Sequence, residues 1–247
     1  MIIYTIIVLV LGALAGVLVN YLADVLPYTR RLSAPVCVNC DHRYTAREYL
    51  FSFSCPECGH KPPLRNYVVV IGMMILSFLV AWLQIKGLSY WAALPLFTFF
   101  ALIVTIDMEF KVVLNETSIF GAIMLLIYGI SMNRTIPTLL GGLAGYGAML
   151  LLYYGGVLFT RLMSRLRHQE IDEVALGFGD VNVAGFLGLL IGISGIFQTL
   201  FIAILMGGVI SLLVMLVMLA ARRYRAFSAI PYAPFLILAA TVTLFLR

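Results

Sequence analysis

The chain has 247 residues, of which 63% are hydrophobic and only 11% charged, and its mean hydropathy is +1.06. Ordinary soluble domains carry about 25% charged residues, so this composition excludes a water-soluble globular domain and predicts an all-α polytopic membrane protein. Its basic isoelectric point of about 9.1 has a membrane explanation and gives no sign of a nucleic-acid partner.

A membrane-spanning helix needs about 20 apolar residues. Apolar runs predict about eight transmembrane helices, at 2–23, 67–85, 88–106, 117–132, 136–160, 174–193, 196–220 and 228–246. The first run has no basic flank before it and no small-residue cleavage site, so it reads as a retained helix rather than a signal peptide. Three segments follow from this pattern: a first transmembrane helix (1–27), a cytoplasmic insert (28–66) and a core of about seven helices (67–247). Gly12/Gly16 and Gly141/Gly145 have the spacing of close helix contacts. No internal repeat or low-complexity segment is apparent.

The insert is the one sizeable hydrophilic stretch and holds every cysteine, as Cys37-Val-Asn-Cys40 and Cys55-Pro-Glu-Cys58. Two Cys-x-x-Cys pairs supply four thiolates, the set that completes a tetrahedral structural zinc site. A cytoplasmic setting keeps these thiols reduced. His42 and His60 flank the pairs as alternative ligands, but four sulfurs already close a site and leave no position for substrate. So small a segment cannot bury a core of its own and needs such a staple. Its prolines, among them Pro35, Pro56, Pro62 and Pro63, predict a turn-rich knuckle.

Charge then sets orientation. With eight helices alternating sides, thirteen of the 16 Lys and Arg residues fall in one set of connections. The other set, with the C-terminus, holds only Lys86, Arg134 and Arg247. The positive-inside rule places the first set in the cytoplasm and both termini outside.

Two aspartates interrupt this apolar pattern. Asp107 ends the run Leu88–Ile106, and Asp180 lies in Leu176-Gly-Phe-Gly-Asp-Val181. An ionisable group near membrane depth is costly and by default marks a functional site. Plainer readings compete: Asp107 as a helix end at the headgroups, Asp180 as an N-cap. Yet the stretch from Val181 to Ile193 is too short to span, and it reaches spanning length only by starting near Val174, which puts Asp180 below the surface. Gly177 and Gly179 leave room for backbone flexibility and close approach of a substrate. Two close carboxylates share a proton, so one can activate water while the other hydrogen-bonds the carbonyl under attack. No serine elbow, His-Glu-x-x-His or phosphate-binding loop competes. His168 reads as a solvated loop residue. The alternative is a transporter or channel using Asp107 and Asp180 as a proton or cation relay, but no paired repeats of broken helices support it.

Taken together, Gly177-Phe-Gly-Asp180, Ile106-Asp107, Asn20 with Leu26-Pro27, the two cysteine pairs and Ala229-Ile-Pro-Tyr-Ala-Pro-Phe235 resemble the type IV prepilin peptidase family, the Gly-x-Gly-Asp membrane aspartyl proteases. That resemblance implies an inner-membrane, multi-pass enzyme with its active site facing the cytoplasm. It implies cleavage of the basic leader of type IV prepilins or type II secretion pseudopilins, with Asp107 and Asp180 as the catalytic pair. The longer members, which carry a cysteine-bearing loop, also methylate the new N-terminus with S-adenosylmethionine, while the insert here is shorter than in typical two-activity members. Two positions depart from the usual pattern. Leu114-Asn115-Glu116 stands where Pro-Asp is usual, and Asp180-Val-Asn182 lacks the usual lysine.

Overall fold

The computed structural model describes the chain except Met1, Val38, Ser52, Phe53, Pro62, Gln84, Lys86, residues 168–176 and 222–230, and Arg247. The expectations for His168, Leu176, Lys86, Arg222, Arg223, Arg225, Ala229 and Arg247 therefore fall outside the described residues. Among the described residues the secondary structure is helical, apart from one isolated antiparallel bridge between Val36 and Arg43. The chain divides into two compact units, Met1–Phe110 and Lys111–Arg247.

The first unit contains α1 (Ile2–Thr29), a short α2 (Ala46–Phe51) in the insert, α3 (Leu64–Leu83) and α4 (Tyr90–Phe110). Helices α1 and α3 meet along the Gly12/Gly16 edge. A Cβ at Gly12 would lie 2.7 Å from the Met73 carbonyl oxygen, and one at Gly16 would lie 2.7 Å from Val70 Cα. The expected close packing is thus observed, and any larger residue would push the helices apart. Polar tethers fix both ends of the unit. At one end the Ser77 hydroxyl lies 2.8 Å from both the Val8 carbonyl and the Tyr90 hydroxyl. At the other, Asn20 Nδ2 donates to the Asn66 carbonyl at 3.0 Å. Helix α4 packs on both α1 and α3. It buries Leu96, Phe97, Phe99, Phe100, Ile103 and Ile106, so its apolar surface faces protein more than α1 or α3 does.

The second unit contains α5 (Asn115–Asn133), α6 (Thr135–Arg167), α7 (Phe178–Ile191), α8 (Ile193–Ala220) and α9 (Ala233–Leu246). Helix α7 touches α5, α6, α8 and α9 and is apolar on every side, the pattern of a buried helix. Its 14 residues make it about 21 Å long, short of a ~30 Å hydrocarbon core. The predicted spanning helix from Val174 is therefore a shorter one starting at Phe178. Helix α9, also 14 residues, starts later than predicted as well. Among the described residues there are thus six helices long and apolar enough to cross a membrane, plus these two shorter apolar helices. A buried helix can be short because its neighbours, not its own length, shield its ends.

Candidate active site and metal centre

The insert repeats one local motif twice. In Cys37-Val-Asn-Cys40-Asp-His42, the Cys37 N–H donates to the His42 carbonyl at 2.8 Å and the Asp41 N–H donates to the Cys37 carbonyl at 3.0 Å. In Cys55-Pro-Glu-Cys58-Gly-His60, the Cys55 N–H donates to the His60 carbonyl at 2.8 Å and the Gly59 N–H donates to the Cys55 carbonyl at 2.9 Å. The turns close through left-handed residues at equivalent places, Asp41 (φ 56°) and Gly59 (φ 68°); glycine adopts this conformation freely, and aspartate is among the few side chains enriched there. This Cys-x-x-Cys-x-His repeat corrects the expectation of no internal repeat. It is short, and only the backbone bonding makes its two copies equivalent.

The two turns bring all four cysteines together. Their sulfurs lie within 4.8 Å of one another, with Cys37 Sγ to Cys58 Sγ at 3.7 Å and Cys40 Sγ to Cys55 Sγ at 3.6 Å. A disulfide would need about 2.05 Å. Tetrahedral zinc, with bonds of about 2.3 Å, needs sulfurs about 3.8 Å apart. The residues present therefore fit a four-sulfur metal centre, a donor set compatible with zinc. The backbone N–H of Asn39, helped by that of Cys40 and opposed by burial, lowers the Cys37 thiol to about 6, which favours the thiolate a metal needs. The histidines are not needed as ligands. His42 instead links the two turns, with Nδ1 2.9 Å from Glu57 Oε1 and Nε2 3.5 Å from Glu48 Oε2.

A polar cluster sits beside the insert. Arg65, in the first turn of α3, pairs with Asp24 of α1 and with Glu109 of α4. The Tyr49 hydroxyl of α2 donates to Asp24 Oδ2 at 2.6 Å. Burial, reinforced by the Asp24 charge, raises the Tyr49 phenol well above its ordinary value and keeps it a donor. Sequence reasoning overlooked this cluster, apart from Asn20. The signal was Asn20 and Asp24 four residues apart in an apolar helix, which places both on one face.

Asp107 lies near the C-terminal end of α4 and is 4% exposed. Glu109, two residues on, points away from it to Arg65, because helical positions two apart do not share a face. Asp180 lies in the first turn of α7 and is 7% exposed. The N-cap is Gly177, not Asp180, and the Asp180 N–H donates to the Gly177 carbonyl at 3.1 Å. Gly177 has φ −74° and ψ 143°, which any residue can adopt. A Cβ there would come within 3.4 Å of Asp180 Oδ2, and one at Gly179 would come within 2.9 Å of Val113 Cβ. Gly179 thus lets Val113 pack against the start of α7, while a side chain at Gly177 would touch the Asp180 carboxylate. Asp107 belongs to the first compact unit and Asp180 to the second.

The sequence model of the Type IV leader peptidase family matches residues 94–212. The matched segment runs from α4 into α8, includes both buried aspartates and excludes the cysteine insert. A curated relative, the prepilin leader peptidase/N-methyltransferase of Pectobacterium carotovorum subsp. carotovorum, is 25% identical over 189 residues, covering 72% of this chain. The alignment spans 63% of that relative's length. No solved structure matches the chain. Neither match supports the transporter or channel reading.

Proposed function

We propose that the chain is a membrane aspartyl endopeptidase that removes the leader peptide of type IV prepilins or type II secretion pseudopilins, with Asp107 and Asp180 as its catalytic pair. The observation that carries this reading is that the family segment, residues 94–212, contains two aspartates buried in apolar helices. Buried carboxylates are expensive without a role. In the proposed reaction one aspartate takes a proton from water while the oxygen attacks the peptide carbonyl carbon. The other donates its proton to the carbonyl oxygen. The aspartate that took the water proton then passes it to the amide nitrogen, and collapse of the tetrahedral intermediate breaks the C–N bond, releases the amine and returns the other proton to its aspartate.

The excess of basic residues on one set of connections supports an inner-membrane protein whose catalytic pair and insert face the cytoplasm. The insert at 28–66 then serves as a cytoplasmic module between a first transmembrane helix and the remaining core, its zinc structural because four sulfurs close the coordination sphere. The relative's printed name supports a second activity, transfer of a methyl group from S-adenosylmethionine to the amine that cleavage exposes. The test is incubation of the full-length chain in detergent with a prepilin. Trimming of the leader, and its loss in Asp180→Asn, are expected. An Asp180→Asn protein that still trims would overturn the assignment. Tritiated S-adenosylmethionine in the same assay reads the second activity.

A further inference from the structure

The first unit encloses a cavity of about 580 Å³ between the insert and the ends of α1, α3 and α4. Pockets of roughly 300–1,000 Å³ suit small ligands or short peptide segments. Among the described residues its wall carries four carboxylates, Asp24, Asp41, Glu48 and Glu109, against one guanidinium, Arg65, and the imidazole of His60, and Arg65 is already paired with Asp24 and Glu109. The surplus charge is negative. Tyr28, Tyr44 and Tyr49 add aromatic surface, which attracts cations through the ring faces.

An independent feature of the same wall asks for a donor. Asn20 lines the cavity and is only 3% exposed. Its Nδ2 is used by the Asn66 carbonyl, while its buried Oδ1 accepts no hydrogen bond from the described residues. A buried acceptor left without a donor costs on the order of 1–3 kcal/mol, and such an atom in a cavity wall marks where a ligand N–H belongs. A sulfonium or quaternary ammonium centre has the charge but no N–H. A guanidinium or primary ammonium has both.

We propose that this cavity is a subsite for the basic side chains of the substrate's leader, held by Asp24, Glu48 and Asn20 Oδ1. The proposal rests on the leader-peptidase reading. Position supports it: Glu109 and Phe110, which line the cavity, lie two and three residues beyond Asp107 on the same helix. A basic segment seated here holds its chain one helical turn from that carboxylate. The subsite would set specificity and take no part in the chemical step.

The test uses the full-length, zinc-loaded chain carrying Asp180→Asn, in phosphatidylcholine nanodiscs, so that neither cleavage nor an anionic surface contributes. The probe is a fluorescein-labelled six-residue peptide with two arginines, against its counterpart with two glutamines. The basic peptide should bind more tightly, and adding Glu48→Gln should reduce that preference about tenfold, the size of one charged hydrogen bond. Glutamine can still bond the Thr45 N–H, so α2 stays capped. Asp24→Asn should act in the same direction, with circular dichroism checking that the chain remains folded. Equal binding of the two peptides, or a preference that both variants leave intact, would overturn the proposal. So would loss of S-adenosylmethionine binding in Glu48→Gln with peptide binding unchanged, which would give the cavity to the small cofactor. If the unmutated chain trims no leader yet shows this peptide pattern, the peptidase reading falls and the subsite stands.

Discussion

The insert and helix α7 are both too short to be stable alone, and they are held by different physics. The insert is polar, and its shape comes from two hydrogen-bonded turns converging on four sulfurs. Helix α7 is apolar on all sides and is held by close backbone approach. A Cβ at Gly188 would lie 2.2 Å from the Gly141 carbonyl oxygen, and one at Gly145 would lie 2.4 Å from the Ala184 carbonyl oxygen. Without a hydrophobic force between helices in lipid, packing of small residues takes over that role. Each solution carries a charged group the other could not. The insert supports an ionic cluster open to a cavity, while α7 holds one buried carboxylate in its first turn.

The sharpest way to break this comparison is at the carboxylates. On the proposed dyad, Asp107→Asn and Asp180→Asn should each abolish leader cleavage, and the double substitution should be no worse than either single one, as expected of residues that act as a unit. Near-normal turnover in Asp107→Asn would make another acid the partner. Glu116 would then be the next candidate, since Glu109 is engaged by Arg65.

Metal removal tests the other region. Purified protein should contain about one zinc per chain. Chelation, or Cys37→Ser, should open residues 28–66 to limited proteolysis while α7 stays protected. Leader cleavage should fall less than in the aspartate variants. An insert that stays protease-resistant without metal would show that hydrogen bonds alone suffice.

Packing of α7 comes next in size. Gly188→Ala should destabilise the protein by about 1–3 kcal/mol or more, the usual cost of overpacking, seen as a lower midpoint of thermal unfolding in detergent. Gly147→Ala is the control, because a Cβ there meets nothing within 4 Å. If both behave alike, backbone contact is not what holds α7.

The smallest effect concerns α2. The Thr45 N–H donates to Glu48 Oε2 at 2.8 Å, and the Glu48 N–H donates to Thr45 Oγ1 at 3.3 Å, a reciprocal helix cap. Those contacts, led by the Thr45 N–H, lower the Glu48 carboxyl below its ordinary value. Its folded form therefore gains stability above the ordinary carboxylate range and loses it as pH falls through the lowered value. Amide exchange in α2 should quicken there, and Glu48→Gln should remove that pH dependence.

Much of this was legible in the sequence. Each predicted span corresponds to an observed helix, because apolar runs of helical length must cross or pack within lipid. The four cysteines were legible as one centre, because their spacing leaves few other uses. The sequence also marked Asp107 and Asp180 as the carboxylates to explain. What it could not set was the start of α7, since a helix apolar on every side has no periodicity to mark its end. Nor could it pair Arg65 with Asp24 and Glu109, which lie 41 and 44 residues away. Such charges are ordinary helix-end residues until packing of α1, α3 and α4 brings them together. By itself, then, the sequence determined the membrane class, the approximate helix positions and the clustered thiols that could hold a metal ion, all consequences of local composition and spacing. Only tertiary structure decided that α7 is a buried centre and that Asn20 faces a carboxylate-lined cavity, because burial and charge pairing depend on which distant helices meet.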